Sequence, residues 1–253
     1  MKFFDALILG IVEGITEFLP ISSTGHLILA STLLRLSETE FLKSFEIAIQ
    51  LGAILSVVVL YARSLIRDRV TIQKLFVAFL PTAVIGLLFY KLVKHYLLGN
   101  EWVVVAALFI GGIILILFEW NRRGEDSGST HITYPQAFLI GVFQSISIIP
   151  GVSRAAATII GGLSLGIERK TIVEFSFLLA IPTMAAATAL DLLKSASSFS
   201  SADFEILAVG FVVSFVVALV IIKWLLYYIK NHTFLSFGVY RIAVAFLFWL
   251  LYR

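Results

Sequence analysis

The sequence has no cysteine and little charge. Without a thiol among its 253 residues, the chain can form neither a disulfide nor a thiolate metal site. Only 14% of the residues are charged and 60% are hydrophobic, whereas soluble globular chains average about 25% charged and about 45–50% apolar. The net charge of +3 suits anionic lipid headgroups and indicates no nucleic-acid partner. The composition therefore indicates an integral membrane protein with membrane lipids as neighbours.

Long apolar runs predict an all-α polytopic membrane protein with a single membrane domain over residues 1–253. A helix needs roughly 20 apolar residues to cross the hydrocarbon core. Six runs qualify, at about residues 45–62, 74–92, 102–120, 172–192, 204–229 and 236–252. Two further apolar regions, 2–35 and 135–168, are interrupted by polar residues, glycines and a central proline. Irregular backbone at membrane depth needs protein or water around it, so both regions are predicted to be re-entrant helical hairpins.

The two broken regions resemble each other at an offset of about 130 residues. The equivalent positions are Gly10 and Gly141, Glu13 and Gln144, Pro20 and Pro150, and Ser23 and Ser153. One hairpin plus three spans gives repeat one at 1–120 and repeat two at 134–253, joined by a polar linker at 121–133. Because three crossings reverse the chain's direction, six transmembrane helices plus two hairpins predict an inverted-topology repeat, in which broken helices meet near the midplane.

The distribution of Lys and Arg predicts the orientation. The loop after the first span carries Arg63, Arg67, Arg69 and Lys74. Cytoplasmic loops carry an excess of Lys and Arg, so this loop is placed in the cytoplasm. Both termini and the first hairpin then lie on the outer face, and no cleavable signal peptide is expected.

The first polar cluster, Gly10 to His26, places charge where apolar sequence is expected. Ionisable residues at membrane depth are costly and mark function by default. Glu13 and Glu17 are four residues apart and share one helix face. Two such carboxylates repel unless a cation separates them or one keeps its proton, and Mg²⁺ binds through one or two carboxylates plus phosphate oxygens. The alternative is a pair of carboxylates that are satisfied within the protein.

Three hydroxyl residues and a histidine follow Pro20: Ser22, Ser23, Thr24 and His26. One hydroxyl could simply cap the next helix, but a helix N-terminus is also a ready anion site. A serine beside an imidazole or carboxylate base is a common activated nucleophile. The nucleophile could be Ser23, or His26 with Ser23 holding phosphate, and the sequence does not choose. A packing role for His26 is the third alternative.

The second polar cluster, Pro150 to Thr158, contains an arginine at membrane depth. The guanidinium of Arg154 matches phosphate oxygens bidentately, although an ion pair with Glu13 or Glu17 would also satisfy it. Phosphoryl transfer depends mainly on positioning and charge neutralisation. The predicted phosphate-binding residues are Arg154, Ser22, Thr24, Ser153, Thr158, Gly151 and Gln50. Glu13, Glu17, Ser23 and His26 are the catalytic candidates, with both glutamates as metal ligands.

The string from Glu13 to His26, EGITEFLPISSTGH, resembles the first signature of the bacterial undecaprenyl-diphosphate phosphatases, also called bacitracin-resistance proteins. Pro150 to Thr158 resembles their second signature, and the length, span pattern and the stretch from Glu174 also fit. In this family the residue after the arginine is usually Ser, often followed by Gly. Here both positions are alanine, Ala155 and Ala156, so no third hydroxyl is expected to be essential there.

The resemblance implies hydrolysis of undecaprenyl diphosphate to undecaprenyl phosphate and inorganic phosphate, which recycles the lipid carrier for cell-wall synthesis. It also implies a divalent cation, Mg²⁺ or Ca²⁺, and a site open to the outer side of the bacterial plasma membrane. A homodimer is a candidate assembly. The alternative function is a transporter or flippase of a polyprenyl phosphate, since inverted repeats with broken helices are common in transporters.

Overall fold

The computed structural model describes residues 1–37, 39–97, 100–122, 128–195 and 201–251. Within these ranges the protein contains helices and no strand, apart from one isolated bridge between Ser129 and Ile167. The ten α-helices are α1 Phe3–Thr16, α2 Ser23–Leu33, α3 Glu40–Arg67, α4 Arg69–Leu92, α5 Glu101–Arg122, α6 Tyr134–Ser145, α7 Arg154–Ser164, α8 Arg169–Ser195, α9 Ser201–Tyr228 and α10 Leu235–Leu251. Residues 123–127 of the predicted linker and residues 252–253 lie outside the described ranges.

Four of these helices are long and apolar enough to cross a membrane. They are Glu40–Arg67, Arg69–Phe89, Glu101–Arg122 and Phe204–Tyr228, which coincide with four of the six predicted spans. The helices at the other two predicted spans are α8, 27 residues long with an internal proline, and α10, whose apolar part Leu235–Leu250 is shorter. The helical membrane class is confirmed, whereas six spans plus two hairpins stays a prediction.

Each broken region consists of two short helices joined by a turn. α1 and α2 have 14 and 11 residues, and α6 and α7 have 12 and 11. None of the four reaches the roughly 20 residues that a crossing needs. Between α6 and α7 a 3₁₀ turn, Ile146–Ile148, precedes the break. We call residues 17–22 tip 1 and residues 149–153 tip 2.

The main helix packing pairs elements from the two halves of the chain. α1 and α3 pack against α9, while α6 and α8, their counterparts, pack against α4. α5 packs against α10. Gly10 of α1 faces the carbonyl of Gly210, and Gly141 of α6 faces the carbonyl of Ala78, so closely that a Cβ at either glycine would collide with backbone. The missing side chains therefore let each hairpin's first helix lie directly on a long helix of the other half.

Candidate functional site

The two tips share an unusual backbone conformation. Ser22 and Ser153 directly precede α2 and α7, and both have φ of 74°. Positive φ is uncommon for residues other than glycine, and the only further such residue in the described ranges is Arg35. The structural counterpart of Ser153 is therefore Ser22, one position before the Ser23 that counting from the prolines assigns. Strained conformations of this kind persist where the surroundings enforce them and cluster at functional sites.

The tips border a cavity of about 270 Å³. Eight of the predicted site residues line it: Glu17, Ser22, Ser23, Thr24, Gln50, Gly151, Ser153 and Arg154. Ser147, Ile149, Pro150 and Met184 complete the lining. The structure thus brings residues of both polar clusters into one pocket, although they lie more than 120 positions apart in the sequence. We call this cavity the tip pocket.

A chain of polar contacts crosses the tip pocket. The hydroxyl of Ser23 donates to Oε2 of Glu17 at 2.6 Å. The other carboxylate oxygen, Oε1, pairs with Nη2 of Arg154 at 3.3 Å. The side chains of this ion pair are only 10% and 6% exposed. Glu17 of the first hairpin therefore links the serine beside it to the arginine of the second hairpin.

Arg154 is only partly satisfied by this pair. Its Nη1 donates to the carbonyl of Ser176 on α8 at 2.7 Å, and its buried Nε has no hydrogen-bond partner among the described residues. The buried hydroxyl of Ser176 also lacks one there. Unpaired buried polar atoms are rare and call for an explanation. Here the guanidinium retains a free donor beside the pocket, which suits an anionic ligand.

Glu13 lies one helical turn before Glu17 and is fully buried. It does not line the tip pocket, and neither of its carboxylate oxygens has a hydrogen-bond partner in the described part of the chain. The carboxylate of Glu17 lies within hydrogen-bonding reach when one of the two groups is protonated, and the charges of Glu46 and Arg154 also act on Glu13. Burying two neighbouring carboxylates is costly, so the site suits either a proton shared between Glu13 and Glu17 or a hard cation. No group of three or more metal-binding side chains occurs among the described residues, so Mg²⁺ or Ca²⁺ would need water or phosphate oxygens as further ligands.

His26 is buried behind the tip pocket and is not part of its lining. Its Nδ1 lies 2.7 Å from the carbonyl oxygen of Ser22, and its Nε2 lies 2.9 Å from the hydroxyl of Tyr240 on α10. A carbonyl oxygen only accepts, so Nδ1 carries the hydrogen and, in the neutral ring, Nε2 accepts from Tyr240. The Tyr240 ring also stacks on the imidazole, with the two ring centroids 5.5 Å apart. Both ring nitrogens are therefore engaged, and neither contacts Ser23.

Thr158 is the third predicted residue outside the tip pocket. Its hydroxyl donates to the carbonyl of Arg154 at 2.8 Å, one turn earlier in α7. It also lies 3.5 Å from Oε1 of Gln144. Thr158 is fully buried, so its contacts are those of a residue that joins α7 to α6.

Sequence reasoning assigned no role to two residues of α10: Tyr240, which contacts His26 of α2, and Arg241, which contacts both tips. Arg241 is fully buried and donates to carbonyls in both tips. A single arginine within the apolar helix Leu235–Leu251 was the available signal, because intramembrane arginines need partners. A larger cavity, about 360 Å³, lies near the turn between α3 and α4 and is lined by none of the predicted site residues.

The fold and the site define a multi-pass helical membrane protein in which a polar pocket is buried between two broken hairpins. Residues 6–247 match the family model described as bacitracin resistance protein BacA. The chain belongs to this family.

Three relatives cover the chain almost completely, and each is described as undecaprenyl-diphosphatase. The relative from Aquifex aeolicus (strain VF5) is 53% identical over 97% of this chain and 96% of its own. The relative from Sulfurihydrogenibium sp. (strain YO3AOP1) is 51% identical over 100% of both chains. The relative from Campylobacter jejuni (strain 81-176) is 49% identical over 100% of this chain and 95% of its own.

Proposed function

We propose that this protein hydrolyses undecaprenyl diphosphate to undecaprenyl phosphate and inorganic phosphate. The observation that carries the proposal is the contact chain from Ser23 through Glu17 to Arg154 in a pocket between apolar helices. It places a candidate nucleophile, a candidate base and a phosphate-binding guanidinium next to one another at membrane depth. The names of the relatives describe the same activity, which favours hydrolysis over the transporter alternative. Transport alone would not require a serine hydroxyl held against a carboxylate.

In the proposed first step, Ser23 Oγ attacks the terminal phosphorus of the diphosphate. Glu17 accepts the hydroxyl proton across the 2.6 Å hydrogen bond, as a general base must lie within such reach. The new Oγ–P bond replaces the bond to the bridging oxygen, and undecaprenyl phosphate leaves. Glu17 then loses its proton to solvent. In the second step water attacks the phosphoserine, and Glu17 relays the water's proton to the departing Ser23 oxygen.

Two groups are proposed to neutralise the phosphate charge. Arg154 is held against the pocket by Ser176 and Glu17 and keeps a free Nε. Ser22 makes no side-chain cap for α2, whereas Ser153 caps α7 by accepting from the N–H of Ala156. The first turn of α2 therefore retains N–H groups for an anion, and helix N-termini favour negative ligands.

Glu13 is the proposed carboxylate ligand of the divalent cation, with Glu17 as its neighbour on the same helix. The bound cation would supply charge neutralisation on the phosphate oxygens. Glu17 already contacts Ser23 and Arg154, so Glu13 is the proposed primary ligand of the cation.

The proposed setting is the bacterial plasma membrane, with the tip pocket open to the outer side. The pairing of α1 with α9 and of α6 with α4 supports the inverted-topology repeat at 1–120 and 134–253. The shared φ of 74° at both tips supports it too. The lipid tail would lie along the spans. Measurement of the protein's mass in detergent tests the homodimer as a candidate assembly.

The test is release of inorganic phosphate from undecaprenyl diphosphate by the purified full chain in detergent. Wild type is expected to release phosphate, and Ser23→Ala to lose the activity by about 10³-fold or more, since removing a catalytic serine can cost up to about 10⁶-fold. Ser164→Ala is the matched control because its exposed hydroxyl bonds only to its own helix. No release by wild type, or full release by Ser23→Ala, would overturn the proposal.

A further inference from the structure

Arg241 forms a set of hydrogen bonds that play no part in the proposed chemistry. Its side chain is fully buried in α10, and the ion pairs of the described residues do not include it. Guanidinium has five N–H donors in a fixed planar geometry. Five backbone carbonyls lie within hydrogen-bonding distance of its three nitrogens. Its hydrogen-bonding capacity is therefore fully used by the backbone.

The acceptors come from three separate segments. Nη1 donates to Pro20 of tip 1 at 3.2 Å and to Val152 of tip 2 at 2.9 Å. Nη2 donates to Gly151 of tip 2 and to Ala107 of α5, both at 2.9 Å. Nε reaches the carbonyl of Leu108 at 3.3 Å, and that residue is also in α5. One side chain therefore joins both tips to each other and to the α5–α10 pair behind them.

Helix α5 is shaped to accept this side chain. Gly111 and Gly112 lie where the arginine crosses α5, and a Cβ at Gly111 would collide with Nη2. Gly112 faces the Cβ of Arg241 and the carbonyl of Gly238. The glycine pair leaves room for a guanidinium to lie against the helix backbone, which a packed apolar side chain would not require.

We propose that Arg241 is a positioning residue that fixes the distance between the two tips. The proposal rests on the proposed function, in which tip 1 supplies Ser23 and Glu17 and tip 2 leads into Arg154. The carbonyls that Arg241 holds lie two to three residues from these groups. Catalysis depends steeply on such geometry, and a misplacement of about 1 Å can cost about 10²-fold in rate.

Two substitutions disturb the contact in different ways. Arg241→Lys keeps the charge but offers three donors from one atom, which cannot span three segments. Gly111→Ala keeps the arginine and displaces its Nη2. The matched controls are Arg122→Lys, since Arg122 donates to the carbonyl of Leu163 at the far end of α7, and Gly86→Ala, where an added Cβ has open space.

Steady-state kinetics provide the first measurement. Both disturbing variants are expected to lower kcat about 10- to 100-fold and to change KM by less than about threefold, because Arg154 still binds phosphate. Both controls are expected to keep wild-type kcat. Thermal unfolding of each variant in detergent shows whether it is folded. If Arg241→Lys does not fold, Gly111→Ala provides the test.

The second measurement needs no substrate. Because the chain lacks cysteine, spin labels can be placed at Thr24→Cys beside tip 1 and Ile149→Cys in tip 2, both exposed positions. The distance distribution between the labels is expected to broaden in the disturbing variants only. Unchanged kcat, or lost kcat with an unchanged distribution, would overturn the positioning role. If wild type releases no phosphate, the proposed function fails, while the label distances still test whether Arg241 fixes the tips.

Discussion

Ser23 and Glu17 are joined by a 2.6 Å hydrogen bond across the break between α1 and α2. The break makes the contact possible, because a continuous helix would point residues six positions apart away from each other. The turn around Pro20 brings the serine back over the carboxylate. The hairpin geometry itself therefore creates the proposed nucleophile–base pair.

Replacing Glu17 by glutamine should separate its role as a base from its role as a hydrogen-bond acceptor. The amide oxygen of Glu17→Gln can still accept from Ser23 but takes up no proton. General-base catalysis contributes about 10²–10⁴-fold, so kcat for phosphate release should fall by that factor. Glu101→Gln, in the first turn of α5, is the control and should keep the wild-type rate. Equal rates in the two variants would show that Glu17 is not the base.

Removing the divalent cation should affect stability through Glu13. In wild type, a chelator should lower both activity and the thermal unfolding temperature, because the buried carboxylate would lose the cation proposed as its partner. Glu13→Gln should lose the dependence of the unfolding temperature on Mg²⁺ and Ca²⁺. Differential scanning in detergent measures this without substrate. The matched variant Glu205→Gln lies in the first turns of α9 and should behave as wild type. A cation response that survives Glu13→Gln would place the cation elsewhere.

Substitutions of His26 should distinguish a positioning role from a nucleophilic one. An asparagine amide can reproduce the Nδ1–H donor, so His26→Asn can still bond the carbonyl of Ser22. We expect His26→Asn to keep at least about a tenth of the wild-type kcat, whereas His26→Ala should lose about 10²-fold as the tip shifts. Tyr240→Phe should have a smaller effect than His26→Ala. Phosphate trapped on His26 in wild type, or an inactive His26→Asn, would contradict this assignment.

The buried ion pair between Glu119 and Arg169 should stabilise the fold without affecting the tip pocket. Both carboxylate oxygens of Glu119 accept from Arg169, and one also accepts from the N–H of Phe234. Breaking a buried pair costs about 3–5 kcal/mol in free energy of unfolding, which is the loss expected for Glu119→Ala. Glu40→Ala breaks the exposed Glu40–Lys43 pair and should cost under about 1 kcal/mol. Denaturation in mixed micelles compares the two, and similar losses would contradict the prediction.

Much of the site could be predicted because polar residues are conspicuous in apolar sequence. Arg154 and the serines of tip 1 were recognisable for that reason, and the prolines indicated where the helices break. The contact between Glu17 and Arg154 could be identified only from the fold, since the sequence made Glu13 an equal candidate for the partner of Arg154. The engagement of His26 with Tyr240 could not be predicted either, because 214 positions separate the two residues.

Arg241 shows a different limit. Its hydrogen-bond partners are backbone carbonyls. Because every residue has a backbone carbonyl, the sequence does not indicate which ones bind Arg241. Only the three-dimensional approach of two tips to one helix reveals what the arginine holds.

Gln144 gives the two hairpins different chemistry. It stands in α6 where Glu13 stands in α1, is fully buried, and donates through its amide nitrogen to Thr82 and Thr183. An amide stays neutral at every physiological pH, so this position cannot take the negative charge that a glutamate can. The first hairpin carries Glu13 and Glu17, whereas the charged residue within α6 and α7 is Arg154, so the two hairpins differ in the sign of their charged groups. An amide in place of a carboxylate at one equivalent position therefore makes the two hairpins complementary rather than interchangeable.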